Sequence, residues 1–344
     1  MIPTEYFQIF IYCMFFFGVI AYAALDGFDL GVGSLHLFLA KNDRERRLLI
    51  NSIGPVWDGN TTWIVISGGI LFAAFPKVFA NLSSSLYVPT MLLLFGYMLR
   101  GTAIEFRSKH PNPKWRKFWD FAFFLASFIL AIMVGLLLGT LIEGLPLTAQ
   151  GEYLGSFWAL LTPYSLLITL FGLSLFVMHG ALYLVMKIEG EFHDKIRRYS
   201  KRLVGVFLFF WIIATTTTFW AYPYMVDPFF DYPVLWVFPL LSLSCIVGIL
   251  YAVRKHRDGL AFSFSCFSIV FLFTLFIVGI FPNIVISTVS PETHSMTLYN
   301  SSASRLALIV ITIISFIGFP LSFFYISYMH RVFKGKVKLD STSY

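Results

Sequence analysis

Stretches of about 20 apolar residues recur along the whole 344-residue chain. A stretch of this length crosses ~30 Å of hydrocarbon as an α-helix, in which every backbone polar group is paired within the segment. The composition agrees, because 58% of the residues are hydrophobic and only 12% are charged. We therefore predict an all-α, polytopic integral membrane protein with a single membrane domain over residues 1–344. The nine predicted transmembrane helices are residues 7–39, 50–76, 83–106, 118–142, 157–186, 203–225, 234–253, 260–286 and 305–330.

The basic residues predict how these helices are oriented. Of the 25 Lys and Arg residues, all but Lys77 and Arg305 fall on one side of the predicted bundle. Since Lys and Arg collect in cytoplasmic loops, we expect the N-terminus outside and the C-terminus in the cytoplasm. These loops also account for the net charge of +7. We therefore expect no nucleic-acid partner.

Two carboxylates, Asp26 and Asp29, lie in the first predicted helix, although an ionisable group inside a bilayer costs at least ~2.5 kcal/mol. If the helix continues past them, the spacing i, i+4, i+7 and i+11 forms one polar stripe. Its members are Tyr22, Asp26, Asp29 and Gly33. Gly27 and Gly31 on a neighbouring face suit a close helix contact. Two interpretations remain: a buried polar stripe, or an interfacial helix end at Asp26.

The next two predicted helices carry further polar residues. The second repeats the same spacing with Asn51, Pro55, Asp58 and Thr62. Asp58, ~16 Å into this helix, is then the deepest carboxylate of the chain. The third ends with Arg100 and Glu105. Arg100 is either an ordinary flanking residue or the counter-charge of Asp58 or Asp29.

Together Asp26, Asp29, Asp58 and Glu105 predict a cluster of carboxylates in the inner half of the membrane. Exchangeable protons at that depth are what a proton path requires, but polar residues that only fasten helices are of the same types. The sequence leaves both interpretations open.

Histidine and cysteine residues give no strong metal site. His179 is the only histidine well inside a predicted helix. It has no intramembrane His or Met partner at a matching depth, so packing or proton handling is favoured over haem ligation. Cys13, Cys245 and Cys266 lie in separate helices without metal-ligand spacing. We therefore expect no metal site in this chain.

Five motifs in the first third of the chain point to a family. They are D-G-F-D-L-G-V-G, N-D-R-E-R-R, I-N-S-I-G-P-V-W-D-G-N, G-G-I-L-F-A-A-F-P and R-G-T-A-I-E-F-R-S-K. With them the chain resembles subunit II of the cytochrome bd-type quinol oxidases, strongly from Asp26 to about Lys109 and more loosely beyond. The resemblance implies a respiratory complex of a bacterial or archaeal cytoplasmic (inner) membrane. Such a complex oxidises quinol, reduces oxygen to water and takes its protons from the cytoplasm.

The resemblance also implies a division of labour. Haems b and d would belong to the larger partner, subunit I, whereas this chain would bind no haem. Some relatives hold a quinone in this subunit, and a small single-span accessory subunit is a further expected partner. The proton path implied by the likeness consists of Asp29, Asp58, Arg100 and Glu105, assisted by Asp26. Thr61 departs from the pattern, because many members carry Gln or Glu there, and this departure puts part of the path in doubt.

Two rival functions remain at this stage. A proton-coupled secondary transporter also needs acidic residues within the membrane, but it predicts two related halves, and no internal repeat is visible in the sequence. A purely structural scaffold for subunit I uses the same polar residues as a proton path. The sequence does not separate it from the conduit.

Overall fold

The computed structural model describes residues 3–339, and the remaining ends of the predicted domain, 1–2 and 340–344, lie outside the described residues. The chain is mainly helical. Its helices are α1 (Thr4–Leu39), α2 (Asp43–Ile53), α3 (Trp57–Ala74), α4 (Pro76–Ser85), α5 (Tyr87–Phe106), α6 (Pro113–Glu143), α7 (Pro163–Lys187), α8 (Gly190–Ala221), α9 (Asp227–Asp231), α10 (Val237–Arg254), α11 (Asp258–Ile280), α12 (Pro291–His294) and α13 (Arg305–Val332). Four 3₁₀ turns occupy Arg107–Lys109, Phe157–Leu160, Pro223–Met225 and Pro233–Trp236.

Seven of the described helices are long and apolar enough to cross a membrane: α1, α6, α7, α8, α10 (with the turn before it), α11 and α13. α3 and α4 are bent by 115° relative to each other at Phe75, and if this pair forms one span, the number of such spans is eight. α5 has 20 residues but is not among the helices that are apolar enough. α3 and α5 carry the polar residues Asp58, Arg100 and Glu105. The chain is thus a multi-pass membrane protein. The nine crossings and the orientation of the termini stay predictions.

The second predicted span, residues 50–76, is not one helix. α2 ends at Ile53, the chain turns through residues 54–56, and α3 begins at Trp57. Pro55 explains the break, because it has no backbone N–H and its ring clashes with the preceding turn of a helix. The predicted stripe from Asn51 through Pro55 to Asp58 and Thr62 required a continuous helix, and it is therefore wrong.

α1 is the central helix of the bundle. Its N-terminal half is partly exposed, whereas most residues from Tyr22 to His36 are buried against α3, α6, α7, α11 and α13. The backbones of α1 and α7 meet at Gly31 and Gly180, where a Cβ on Gly31 would lie 2.9 Å from the Gly180 nitrogen. This confirms the predicted close contact. α1 also continues as a helix to Leu39, with Asp26 and Asp29 buried. The polar residues therefore form a buried stripe, and Asp26 is not an interfacial helix end.

The two ends of the bundle differ in structure. At one end, here called the hairpin end, β1 (Asn283–Val285) and β2 (Met296–Thr297) form a small antiparallel sheet. The Tyr12 hydroxyl donates to the carbonyl of Asn283 at 3.2 Å and ties α1 to this sheet. The opposite end, here called the basic end, contains Leu39, Arg107 and Lys187. The predicted all-α fold is therefore correct apart from this two-stranded addition.

The glycine contact between α1 and α7 is testable by adding one methyl group. Gly31→Ala puts a Cβ against the backbone of α7, and overpacking of this kind costs ~1–3 kcal/mol. We expect a thermal midpoint several degrees lower for the purified protein in detergent. Gly205→Ala in α8 is the matched control, since a Cβ there meets nothing within 4 Å. Equal midpoints for the two variants would contradict the close contact.

The predicted orientation is testable by cysteine labelling. In a chain whose Cys13, Cys245 and Cys266 are replaced by Ala, we would introduce His110→Cys or Gln150→Cys, both at exposed positions in loops at opposite ends. A membrane-impermeant maleimide should label Gln150→Cys in intact cells and His110→Cys only after permeabilisation. The reverse pattern would invert the orientation.

Candidate functional site

Arg100 of α5 and Asp26 of α1 form a two-pronged ion pair inside the bundle. The Nη1 and Nη2 atoms of Arg100 donate to Oδ2 and Oδ1 of Asp26 at 2.8 and 2.7 Å, and both side chains are 0% exposed. The flat guanidinium matches a carboxylate in this geometry, which is the strongest form of such a pair. From the sequence alone, Arg100 is either an ordinary flanking residue or the counter-charge of Asp58 or Asp29. The structure corrects this, because the direct partner is Asp26.

Three neighbours complete the surroundings of Arg100. Nη2 also donates to the Thr61 hydroxyl at 2.7 Å, and that hydroxyl lies 3.2 Å from Oδ1 of Asp26. The rings of Trp57 and Tyr97 lie 5.9 and 5.6 Å from the guanidinium carbon, within the range of cation–π attraction. The cation is thus surrounded on several sides. Thr61, which departs from the family pattern, is a direct member of this cluster.

Asp29 lies one helical turn further along α1 and is also completely buried, but its hydrogen bonding differs. Its Oδ2 accepts one bond of 2.8 Å from Nδ2 of Asn60, and its Oδ1 has no hydrogen-bond partner among the described residues. The other side of the Asn60 amide faces α13, where its Oδ1 lies 3.2 Å from Nε2 of His330. A row of three side chains from α1, α3 and α13 therefore ends at a carboxylate with one unpaired oxygen.

Asp58 is not the deeply placed carboxylate that the sequence predicts. It lies in the first turn of α3, where the helix dipole favours a negative charge, and its side chain is exposed. It lines a cavity of about 170 Å³ together with Gly59, Asn60, Tyr325 and His330. At ~30 Å³ per molecule, this space has room for several waters. The chain break at Pro55 moves Asp58 to the surface and turns Asn60 inward.

Glu105 is half-buried near the C-terminal end of α5, ~7.5 Å along the helix axis from Arg100. The structure therefore brings Asp26, Asp29 and Arg100 together in one buried cluster. Asp58 lies at the cavity beside that cluster, and Glu105 lies nearer the basic end.

Sequence reasoning missed a second buried cluster at the basic end. Asp120 of α6 accepts hydrogen bonds from Arg107 Nε at 2.6 Å and Arg46 Nη1 at 2.7 Å, and it pairs with His36 Nε2 at 2.7 Å. Arg107, which reads as a solvated flanking residue, is 1% exposed and also donates to Asp43. The signal was present in the sequence, because His36 extends the stripe of Asp29 and Gly33 by one more step.

His179 is fully buried between α1 and α11. Its Nε2 lies 3.0 Å from the carbonyl oxygen of Ala24 and its Nδ1 lies 2.7 Å from the Ser265 hydroxyl. Its ring is stacked on Phe262. Because both ring nitrogens are engaged, His179 does not fit as a haem ligand. Within residues 3–339, no group of three or more His, Cys, Asp and Glu side chains could hold a metal ion.

A larger, apolar cavity of about 290 Å³ lies toward the hairpin end. Its walls come from α6, α7, α8, α10 and α11 and from the segment around Phe229, and they include Phe171, Phe219 and Trp236. Thr215 and Thr218 are its hydroxyl-bearing lining residues. Its lining suits an alkyl or isoprenoid chain better than a polar solute.

Comparison with known proteins identifies the relatives of this chain. The profile of the family described as "Cytochrome bd terminal oxidase subunit II" matches residues 7–333. The chain is 30% identical to the cytochrome bd-I ubiquinol oxidase subunit 2 of Escherichia coli, over 93% of this chain and 92% of that protein. It is 32% identical to the cytochrome bd ubiquinol oxidase subunit 2 of Bacillus subtilis, over 84% of each.

A solved structure has the same fold. The bd oxidase of Geobacillus thermodenitrificans contains a chain that superposes with a TM-score of 0.77 at 17% identity, covering 95% of this chain and 98% of that one. At this identity the likeness concerns the fold alone. It extends over nearly all of both chains.

The Asp120 cluster should be essential for stability. Asp120→Asn keeps the shape of the side chain but leaves the buried Arg107 with only the exposed Asp43 as an anion. Breaking a buried pair costs ~3–5 kcal/mol. We expect a large drop in the thermal midpoint of the purified protein. Asp258→Asn is the matched control, because its pair with Arg197 is 25% and 24% exposed, and exposed pairs contribute ~0–1 kcal/mol. Similar thermal midpoints for the two variants would contradict this role of the cluster in stability.

Proposed function

The chain belongs to the family of cytochrome bd terminal oxidase subunit II, and we propose that it conducts protons from the cytoplasm toward the oxygen-reducing partner, subunit I. In this proposal it also stabilises that partner through its packing surface. The relatives are ubiquinol oxidase subunits, so the whole complex would oxidise a quinol and reduce oxygen to water in the inner membrane. Haems b and d would be held by subunit I.

The observation that carries the proposal is the state of Asp29. A completely buried carboxylate normally has partners on both oxygens, because an unpaired charged group away from water is costly. Asp29 has a partner on one oxygen and none on the other among residues 3–339. Beside it lies the cavity lined by Asp58 and Asn60. This arrangement suits a group that takes up and releases a proton.

The other residues would have different roles. Asp58, exposed at the cavity, would collect protons from water, and Glu105 would do so nearer the basic end. Asp26 uses both carboxylate oxygens on Arg100, so it is suited to hold a fixed charge rather than to exchange a proton. Arg100 would favour the ionised form of the neighbouring Asp29 through its positive charge.

Quinone binding and the accessory subunit stay predictions. The apolar cavity between α6, α7, α8 and α11 supports the first, because its volume of about 290 Å³ and aromatic walls suit part of an isoprenoid chain. Of the two rivals, membership of the oxidase family argues against a secondary transporter. A purely structural scaffold is distinguished from a proton conductor by substitution of Asp29.

Asp29→Asn in the assembled oxidase is the decisive substitution. It removes the exchangeable proton but keeps the size of the side chain and one hydrogen bond to Asn60. We expect quinol-driven oxygen consumption per haem to fall by a factor of ten or more. The haem absorption spectrum of the complex should remain unchanged.

Two further variants complete this test. Asp29→Glu should restore much of the turnover, and Asp58→Asn should reduce it only a few fold, because solvent reaches that cavity. A structural scaffold would give the opposite result. Haem content would fall with Asp29→Asn, while turnover per remaining haem would stay at the wild-type level.

A further inference from the structure

The connection between α5 and α6 carries a strong excess of positive charge at the basic end. From Arg107 to Asp120 the chain has five basic residues and one acidic residue. That acid, Asp120, is 1% exposed and already binds Arg107, Arg46 and His36. It is therefore not free to offset the remaining basic residues of the connection.

Three of these basic residues are exposed lysines: Lys109, Lys114 and Lys117. Within residues 3–339, none of the three forms an ion pair. Lys114 and Lys117 also lie at the start of α6, where the positive end of the helix dipole disfavours a cation. These charges therefore do not stabilise the described chain, which favours a role in binding an anion outside it.

Hydrogen bonds and aromatic contacts hold this connection in one shape. The side chain of Asn112 caps α6 by accepting from the backbone nitrogen of Lys114 at 2.9 Å, and Trp115 Nε1 donates to the carbonyl of Phe106 at 2.8 Å. The ring of Trp119 meets the ring of Trp115 edge to face, with centroids 5.6 Å apart, and lies 5.8 Å from that of Phe106. The lysines are therefore presented by a compact corner of the bundle.

Phenylalanines continue the lysine-bearing face of α6 away from the basic end. Lys114, Phe118 and Phe121 are spaced i, i+4 and i+7, so they share one face of the helix. Phe118 and Phe121 are 59% and 52% exposed. The ring of Phe124 lies 6.5 Å from that of Phe121 and 5.6 Å from that of the exposed Phe38 of α1. This face thus changes from cationic to aromatic within about two helical turns.

An anionic phospholipid has the same order of chemical groups as this face. Its headgroup carries a negative charge that attracts lysines at the membrane surface, and its acyl chains are apolar. Lysine stems lie along apolar surface while their ammonium groups reach the headgroup level. A soluble anion would use the lysines but not the exposed phenylalanines. An apolar partner helix would cover the phenylalanines but leave the lysines unpaired.

We propose that this part of the surface, here called the α5–α6 corner, binds an anionic phospholipid of the leaflet at the basic end. The corner is defined by Lys109, Lys114, Lys117, Phe118 and Phe121. The ammonium groups of the three lysines bind the phosphate oxygens, and an acyl chain lies along the two phenylalanines. The lipid supplies the negative charge that the described chain lacks at this corner. The inference does not depend on the proposed proton path.

Photo-crosslinking in the assembled oxidase tests this lipid site. The oxidase is reconstituted in vesicles of phosphatidylethanolamine with a minor fraction of phosphatidylglycerol that carries a diazirine in its acyl chain. After illumination, the adducts are mapped by mass spectrometry of the peptides. We expect the peptide with Phe118 and Phe121 to be a main site of adducts. A phosphatidylethanolamine probe with the same diazirine should give at least roughly fivefold fewer adducts there, because it lacks the net negative charge.

Two triple variants with the same loss of charge provide the matched comparison. One removes the lysines of the corner, and the other removes three exposed basic residues of α8, whose first turns also contain Glu191 and Asp194. The substitutions are Lys109→Gln, Lys114→Gln and Lys117→Gln in the first variant, and Arg198→Gln, Lys201→Gln and Arg202→Gln in the second. We expect phosphatidylglycerol adducts at the corner to fall at least ~tenfold in the first variant, since each lysine contributes about fivefold to anionic lipid binding. The second variant should keep them, and the haem spectrum of both should be unchanged.

Several results would overturn the lipid site. Equal adducts from both lipid probes, or equal losses in both variants, would reduce the corner to non-specific surface charge. Absence of adducts from α6 in the assembled oxidase would assign this face to subunit I. Loss of the adducts in excess inorganic phosphate would assign the lysines to a soluble anion. None of these results bears on the proposed function, because Asp29 is not part of the corner.

Discussion

The buried ion pair between Asp26 and Arg100 is the constraint on which the arrangement of the first helices depends. A lone charge at this depth would be costly, and removing either partner from a buried pair costs ~3–5 kcal/mol. The pair therefore requires α5 to stay against α1, and the hydroxyl of Thr61 adds α3 to the same contact. Once these helices are fixed, the positions of Asn60 and Asp29 follow.

Asp26 and Asp29 are three residues apart on one helix, equally buried, and chemically different. Asp26 has both oxygens bound to one cation, which favours a permanent charge. Asp29 has one neutral donor and one unpaired oxygen, which leaves its protonation open to change. In the proposed function, the polar stripe of α1 therefore contains a fixed charge at Asp26 and an exchangeable one at Asp29.

The basic end closes the stripe with a second kind of polar cluster. Asp120 binds two arginines and His36, and together they join α1, α2 and α6 with the turn after α5. Asp120, Arg107 and His36 of this cluster are at most 1% exposed, whereas Asn60 and His330 border a cavity. Helix fastening and the proposed proton exchange thus use similar residue types at neighbouring levels of one helix. Their hydrogen-bond partners distinguish the two roles, whereas residue type does not.

The apolar stretches alone determined that this chain is a helical membrane protein, since a stretch of about 20 apolar residues can pair its backbone polar groups within itself only as a helix. The spacing along α1 also determined that Tyr22, Asp26, Asp29 and Gly33 share a face, because the helical repeat is local. Only the tertiary structure decided which charges meet. The break at Pro55 rotated α3 so that Asn60 replaced Asp58 inside, and His330, 270 positions away, closed the row. Such pairings depend on the packing of distant helices, which no local pattern records.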